Sequence, residues 1–212
     1  MEKALLQYLY QKVIPIYRHF DQAHQMDHVE TVISNALEIA QDYDVNQDMV
    51  YVIACYHDIG MQFGRELHHL TGGKFLWDDS VLPTYFTEEE RIIMKEAIED
   101  HRASRKDEPR SMYGKIIAEA DRDISPETVM RRTVQFGIKH YPELDFEAHF
   151  ERAYQHILEK YGPGGYLKLW LHTQKNHQGL KAIHEWLDDK RKMRAYIFSL
   201  YNNQQNNDEK GF

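Results

Sequence analysis

His57 and Asp58, adjacent in the segment CYHDIG, pair the commonest metal-binding side chain with a carboxylate. Neighbouring residues on a helix point about 100° apart, so one ion can touch both only beside the helix, near its end. Gly60 stands where such a helix would stop. A His-Asp dipeptide alone occurs by chance in many proteins. Here two more potential ligands lie on or beside apolar helical faces: His28 in AHQMDHVETVISNALEIA and Asp121 in IIAEADRDI. A histidine on a buried face needs partners for its ring nitrogens, and a buried carboxylate must be paired, protonated or coordinated. These four residues could answer one another's needs by sharing a cation.

The elements that must bring them together are helices, because apolar residues recur almost throughout at spacings of three and four. One helix is expected from Asp27 to about Asp42, with His28, Val32, Asn35, Ala36 and Ile39 along one stripe. A second runs from about Asn46, its expected N-cap, to Ile59, with Val50, Ile53, Ala54 and His57 inward. Thr87-Glu88-Glu89-Glu90 has the form of a capping box and opens a helix ending near His101. Another helix runs from about Ser111 to Arg122. Ser125-Pro126 restarts the chain as cap and first helical residue, and Asp145 caps a helix that ends near Gly162-Pro163-Gly164-Gly165. No strand-like alternation of any length and no repeat interrupts this pattern.

The order of these residues (a histidine, then His-Asp, then a distant aspartate, each on a helix) resembles the HD-domain superfamily, over roughly Ala23 to Asp123. The resemblance implies an all-α helical bundle with His28, His57, Asp58 and Asp121 as metal ligands, and with Asp58 and Asp121 as the catalytic carboxylates. Asp58 would orient or deprotonate water and Asp121 would balance charge. It further matches His69, in ELHHLTGGKFL, and His101, in AIEDHRAS, to histidines that serve a second metal or touch substrate. Arg102 stands where many two-metal members carry another histidine. His24, one turn before His28, could also face the site, whereas His68 is expected to face solvent, as are His140, His149, His156, His172, His177 and His184.

Imidazole and carboxylate ligands suit Mn, Fe, Mg, Ni or Zn as divalent ions, in one site with room for a second. The resemblance implies a metal-dependent phosphohydrolase acting on a small phosphate ester or anhydride, a nucleotide above all. Arg65, Lys74, Arg102 and Arg122, with His24, are the candidates to hold its phosphate, although an arginine beside a buried aspartate also suits a structural ion pair. Met61 stands where one nucleotidase branch keeps an acidic residue. Two alternatives remain open: an HD-type di-iron oxygenase, and a non-catalytic nucleotide-binding sensor.

The 212 residues, 42% hydrophobic and 28% charged, have the composition of a globular protein, and a net charge of −8 gives no basic excess for duplex nucleic acid. No apolar run approaches the ~20 residues that span a bilayer. One cysteine, Cys55, makes no internal disulfide, in keeping with a cytoplasmic location. The organisation expected is a single all-α domain over residues 1–200, with a core at about 20–125, a C-terminal helical extension at about 126–200 and a disordered tail from 201 to 212. Oligomeric state is not legible in this pattern.

Overall fold

A computed structural model of the chain describes residues 1–20, 26–122 and 124–209. Every regular element among the described residues is helical, so the all-α expectation holds. The chain divides into two compact units, Met1–Arg122 and Asp123–Phe212.

The first unit contains α1 (Lys3–Tyr8), α2 (Met26–Ala40), α3 (Gln47–Tyr56), α4 (His68–Asp78), α5 (Glu88–Asp100) and α6 (Met112–Ala120). Short 3₁₀ helices at Ile14–His19 and Ile59–Phe63 precede α2 and α4. α3 is the axis of the unit. It packs against α2, α4, α5 and α6, and every residue from Met49 to Tyr56 is buried rather than only the anticipated stripe. A helix apolar all round is stable only when enclosed in this way. The hydroxyl of its last residue, Tyr56, donates to Asp79 Oδ2 at 2.6 Å, and Tyr8 donates to the same oxygen at 2.5 Å.

The helix starts follow the caps. Asn46 Oδ1 accepts from the Asp48 N–H, and the reciprocal Thr87–Glu90 box opens α5. The Ser111 hydroxyl accepts from the Gly114 N–H. α3 stops at Tyr56, three residues before the expected end, and the chain resumes as the 3₁₀ turn after Asp58. α4 crosses this turn at close quarters. A Cβ on Gly60 would overlap the His68 carbonyl oxygen and lie 2.5 Å from the Gly72 nitrogen.

The second unit contains α7 (Pro126–His140), α8 (Phe146–Tyr161), α9 (Gln174–Asp188) and α10 (Lys190–Glu209). Its own core joins Val129, Met130, Val134, Phe150, Ile157, Ile183, Met193 and Ile197. The Ser125 and Asp145 caps are present as anticipated. His149, expected on a solvated face, is buried, because it lies on the inner side of α8 beside the Tyr201 ring. α10 continues to Glu209, into the polar stretch expected to be disordered. Asn and Gln disfavour helix by only tenths of a kcal/mol each, and propagation from an existing helix is easy.

The close approach at Gly60 yields a stability prediction. Gly60→Ala should destabilise the fold by about 1–3 kcal/mol or more, because the obstructing atoms belong to backbone. Gly64, with nothing within 4 Å of an added Cβ, is positive in φ and so is a poor control. Thr71→Ser, which keeps the hydroxyl that bonds the Gly60 carbonyl, should be nearly neutral by chemical denaturation.

Candidate metal centre

The potential ligands gather where helices begin and end. His57 is the C-cap of α3, His101 that of α5 and Asp121 that of α6, while His28 lies in the first turn of α2 and His68 is the first residue of α4. Three helix C-termini therefore turn their negative ends toward one place, each favouring a cation by about 0.3–1 kcal/mol.

Three of the imidazoles are aimed by the same local device. His57 Nδ1 lies 2.8 Å from the Ala54 carbonyl, His68 Nδ1 2.7 Å from the Arg65 carbonyl and His101 Nδ1 2.6 Å from the Ile98 carbonyl, always three residues back. A carbonyl only accepts, so each Nδ1 carries the hydrogen, and in the neutral ring each Nε2 turns its lone pair to the centre.

Two groups of donors result, and Asp58 belongs to both. His28, His57, Asp58 and Asp121 form one, and Asp58, His68 and His101 form the other, with the donor atoms of each group within 4.8 Å of one another. Asp58 Oδ2 lies 3.6 Å from His28 Nε2 and 3.4 Å from His57 Nε2. Its Oδ1 lies 3.3 Å from His68 Nε2 and 3.4 Å from His101 Nε2. Asp121 Oδ1 closes the first group, 3.2 Å from His28 Nε2 and 3.8 Å from His57 Nε2.

The donor set fits divalent ions. Ligands about 2.1 Å from a shared ion are about 3.0–3.5 Å apart, close to the separations found. More telling, His68 Nε2 and His101 Nε2 are 3.2 Å apart, although both present lone pairs. Such a contact requires a proton or a cation between them. Burial opposes the charge on His28, but its hydrogen bonds to Asp121 and Asp58 prevail and carry it up to about 9. Burial likewise opposes the charge on His101, and Asp58 outweighs it. Asp58 itself is buried, which would raise its pKa, yet the charge of His57 and the hydrogen bonds of His101 and His28 hold it well below the usual carboxylate range.

The supporting residues are equally specific. The Asn35 side chain donates to the Ala120 carbonyl at 3.1 Å, tying α2 to the α6 terminus beside Asp121. Asp100, next to His101, is buried and accepts from the Arg110 backbone and side chain and from Arg105, which pins the loop between α5 and α6. The Tyr17 hydroxyl accepts from the Asp58 N–H at 3.1 Å. Burial and the Asp58 carboxylate push this phenol well above its ordinary range.

The expected residues distribute unevenly. His28, His57, Asp58, Asp121 and His101 converge as anticipated, but His68 rather than His69 completes the second group. His68 is buried, and the Nδ1 of the half-buried His69 has no hydrogen-bond partner. Burial and Arg102 press His69 down to about 4. The reversal follows from where α4 starts: as its first residue, His68 can reach back to the Arg65 carbonyl and turn Nε2 inward. His24 lies outside the described residues.

Among the phosphate-binding candidates, Lys74 is 72% exposed and paired with Asp78. Arg122 is buried and donates to Glu119 Oε1 at 2.6 Å, an i,i+3 pair across the end of α6 rather than the anticipated pair with Asp121. Arg102 donates to the Glu66 carbonyl at 2.8 Å, close enough to His68 and His69 to oppose their protonation. The Arg65 side chain is exposed beside this segment. Sequence reasoning missed Tyr17, His68 and Glu119. The His68-His69 doublet was the only signal, and its phase was open until the helix start was known.

Residues 26–124 match the family model of the HD domain. Every one of the six converging residues falls within that match. Among solved structures it is similar to a predicted HD superfamily hydrolase from an uncultured Thermotogales bacterium. The two share 23% identity over 73% of this chain and 87% of the other, with a TM-score of 0.48. Comparison with curated proteins gave no match.

Substitution separates the two adjacent histidines. His68→Ala should lower bound divalent metal, by elemental analysis and calorimetric titration, from two equivalents toward one, while His69→Ala leaves the count unchanged. The reverse pattern would show that the second group is assembled from the other histidine.

Proposed function

We propose that this protein is a metal-dependent phosphohydrolase that cleaves a small phosphate ester or anhydride, a nucleotide being the preferred substrate class. The observation that carries the reading is the buried Asp58 carboxylate, with one oxygen turned to each of two histidine-bearing donor groups. His28, His57, Asp58 and Asp121 would hold the first ion, and Asp58, His68 and His101 the second. Divalent ions at such positions supply Lewis-acid polarisation of a phosphoryl oxygen and a water whose pKa is lowered toward neutrality.

The chain's own groups do the rest. Asp58, acceptor-only when ionised, fixes the spacing of the two groups and orients water through its lone pairs. Asp121, at the partly exposed rim of the first group, offsets positive charge. Arg102 and Arg65 border the second group and offer positive charge to a phosphate arriving from solvent, which Lys74 and Arg122 do not.

A second reading draws support from a particular observation. A di-iron oxygenase needs both donor groups, and Arg102 in place of a further histidine argued against a complete second one. His68 would supply that ligand from another helix. The two readings part on oxygen. The phosphohydrolase should release phosphate or pyrophosphate from nucleotides under anaerobic conditions with Mn, Mg, Fe, Ni or Zn. The oxygenase should instead consume O₂ when loaded with iron and show the spectrum of a mixed-valent pair. Asp58→Ala should lower activity by more than the ~10–100-fold typical of outer-shell changes, with loss of metal at both positions. Metal-free, inactive wild-type protein under all these ions would overturn both readings.

A further inference from the structure

Tyr17 lies outside the residues that match the HD family model, on the 3₁₀ helix Ile14–His19, yet it is in direct contact with the centre of the site. It is fully buried, its ring centroid is 6.2 Å from that of His57, and its hydroxyl accepts from the Asp58 N–H at 3.1 Å. The 3₁₀ helix packs against α2 and against residues 59–63, so it is held on both sides by segments that flank the ligands.

The local backbone shows what this contact replaces. In a continuing α-helix the Asp58 N–H would bond to the carbonyl four residues back, that of Ala54. Here the Ala54 carbonyl accepts the His57 ring instead, at 2.8 Å. Asp58 leaves the helix at φ −107°, ψ 5°, in the sparsely populated bridge region. One carbonyl orients His57, and a phenol from 41 residues earlier satisfies the N–H that this leaves over. The two demands of the His-Asp pair, an aimed imidazole and a carboxylate bent off the helix, are thereby met together.

We infer that Tyr17 is a positioning residue of the metal centre, acting through the Asp58 backbone to keep one carboxylate oxygen on each donor group, and that the N-terminal segment is thus a working part of the site. The inference rests on the metal-dependent reading above. A packing role alone would need only the ring, whereas this role needs the hydroxyl.

The test compares Tyr17→Phe with Tyr8→Phe in the full chain. Both remove a tyrosine hydroxyl that is hydrogen-bonded within the first unit, but the Tyr8 partner is Asp79, which belongs to neither donor group. Both variants should lose some stability. Only Tyr17→Phe should weaken Co²⁺ binding, by about tenfold or more on the scale of outer-shell losses, and alter the visible absorption of the Co²⁺-loaded protein. In metal-free protein it should also speed hydrogen exchange at the Asp58 amide. Equal Co²⁺ affinity and identical spectra in wild type and Tyr17→Phe would overturn the inference while leaving the metal site standing. Failure of the wild type to bind Co²⁺ or any other divalent ion would instead overturn the function proposed above. If Tyr17→Phe does not fold, Tyr17→His, which keeps a ring and a polar atom, serves in its place and should bind more weakly than wild type.

Discussion

A buried carboxylate shared by four imidazoles is the constraint around which the first unit is organised. Taking an ionised carboxylate out of water costs several kcal/mol unless charge and hydrogen bonds meet it on all sides. Asp58 is met by His28 and His57 at one oxygen and by His68 and His101 at the other. Those four rings come from α2, the end of α3, α4 and the end of α5. The placement of one side chain thus sets where four helices must start or stop. The early end of α3, the 3₁₀ turn behind Asp58 and the absence of a Cβ at Gly60 are local consequences of bringing them so close.

The rings are not oriented by chance packing. Three histidines use the carbonyl three residues earlier to hold Nδ1, a solution open only near a helix end or just before a helix start, where carbonyls lack intrahelical partners. The same circumstance turns the negative ends of α3, α5 and α6 inward. Donor geometry and local field thus share one cause: potential donors placed at helix termini.

Much of this was legible in the sequence because it is written in local rules. Asn46, Thr87, Ser111, Ser125 and Asp145 each cap the helix expected of them, and capping depends on a few adjacent residues. His28, His57, Asp58 and Asp121 were singled out because each lies on or beside an apolar helical face and their order along the chain resembles the HD superfamily. What escaped notice was phase and distance. The choice between His68 and His69 turns on the first residue of α4, which Leu67, a poor cap, does not announce. Arg122 pairs with Glu119, about one helical turn back, rather than with the adjacent Asp121. Tyr17 is 41 residues from Asp58, and an aromatic in an apolar run looks like any other core residue.

The helix termini that carry these ligands have a kinetic meaning as well. Opening in folded proteins begins at such ends, where a single broken turn costs little of the global stability. His57, His101 and Asp121 each close a helix and His68 begins one. An ion held among them would splice these ends together, so that no one of them frays without releasing it. The exchange of the ion would then be paced by the unwinding of a last turn, rather than by diffusion through a rigid wall.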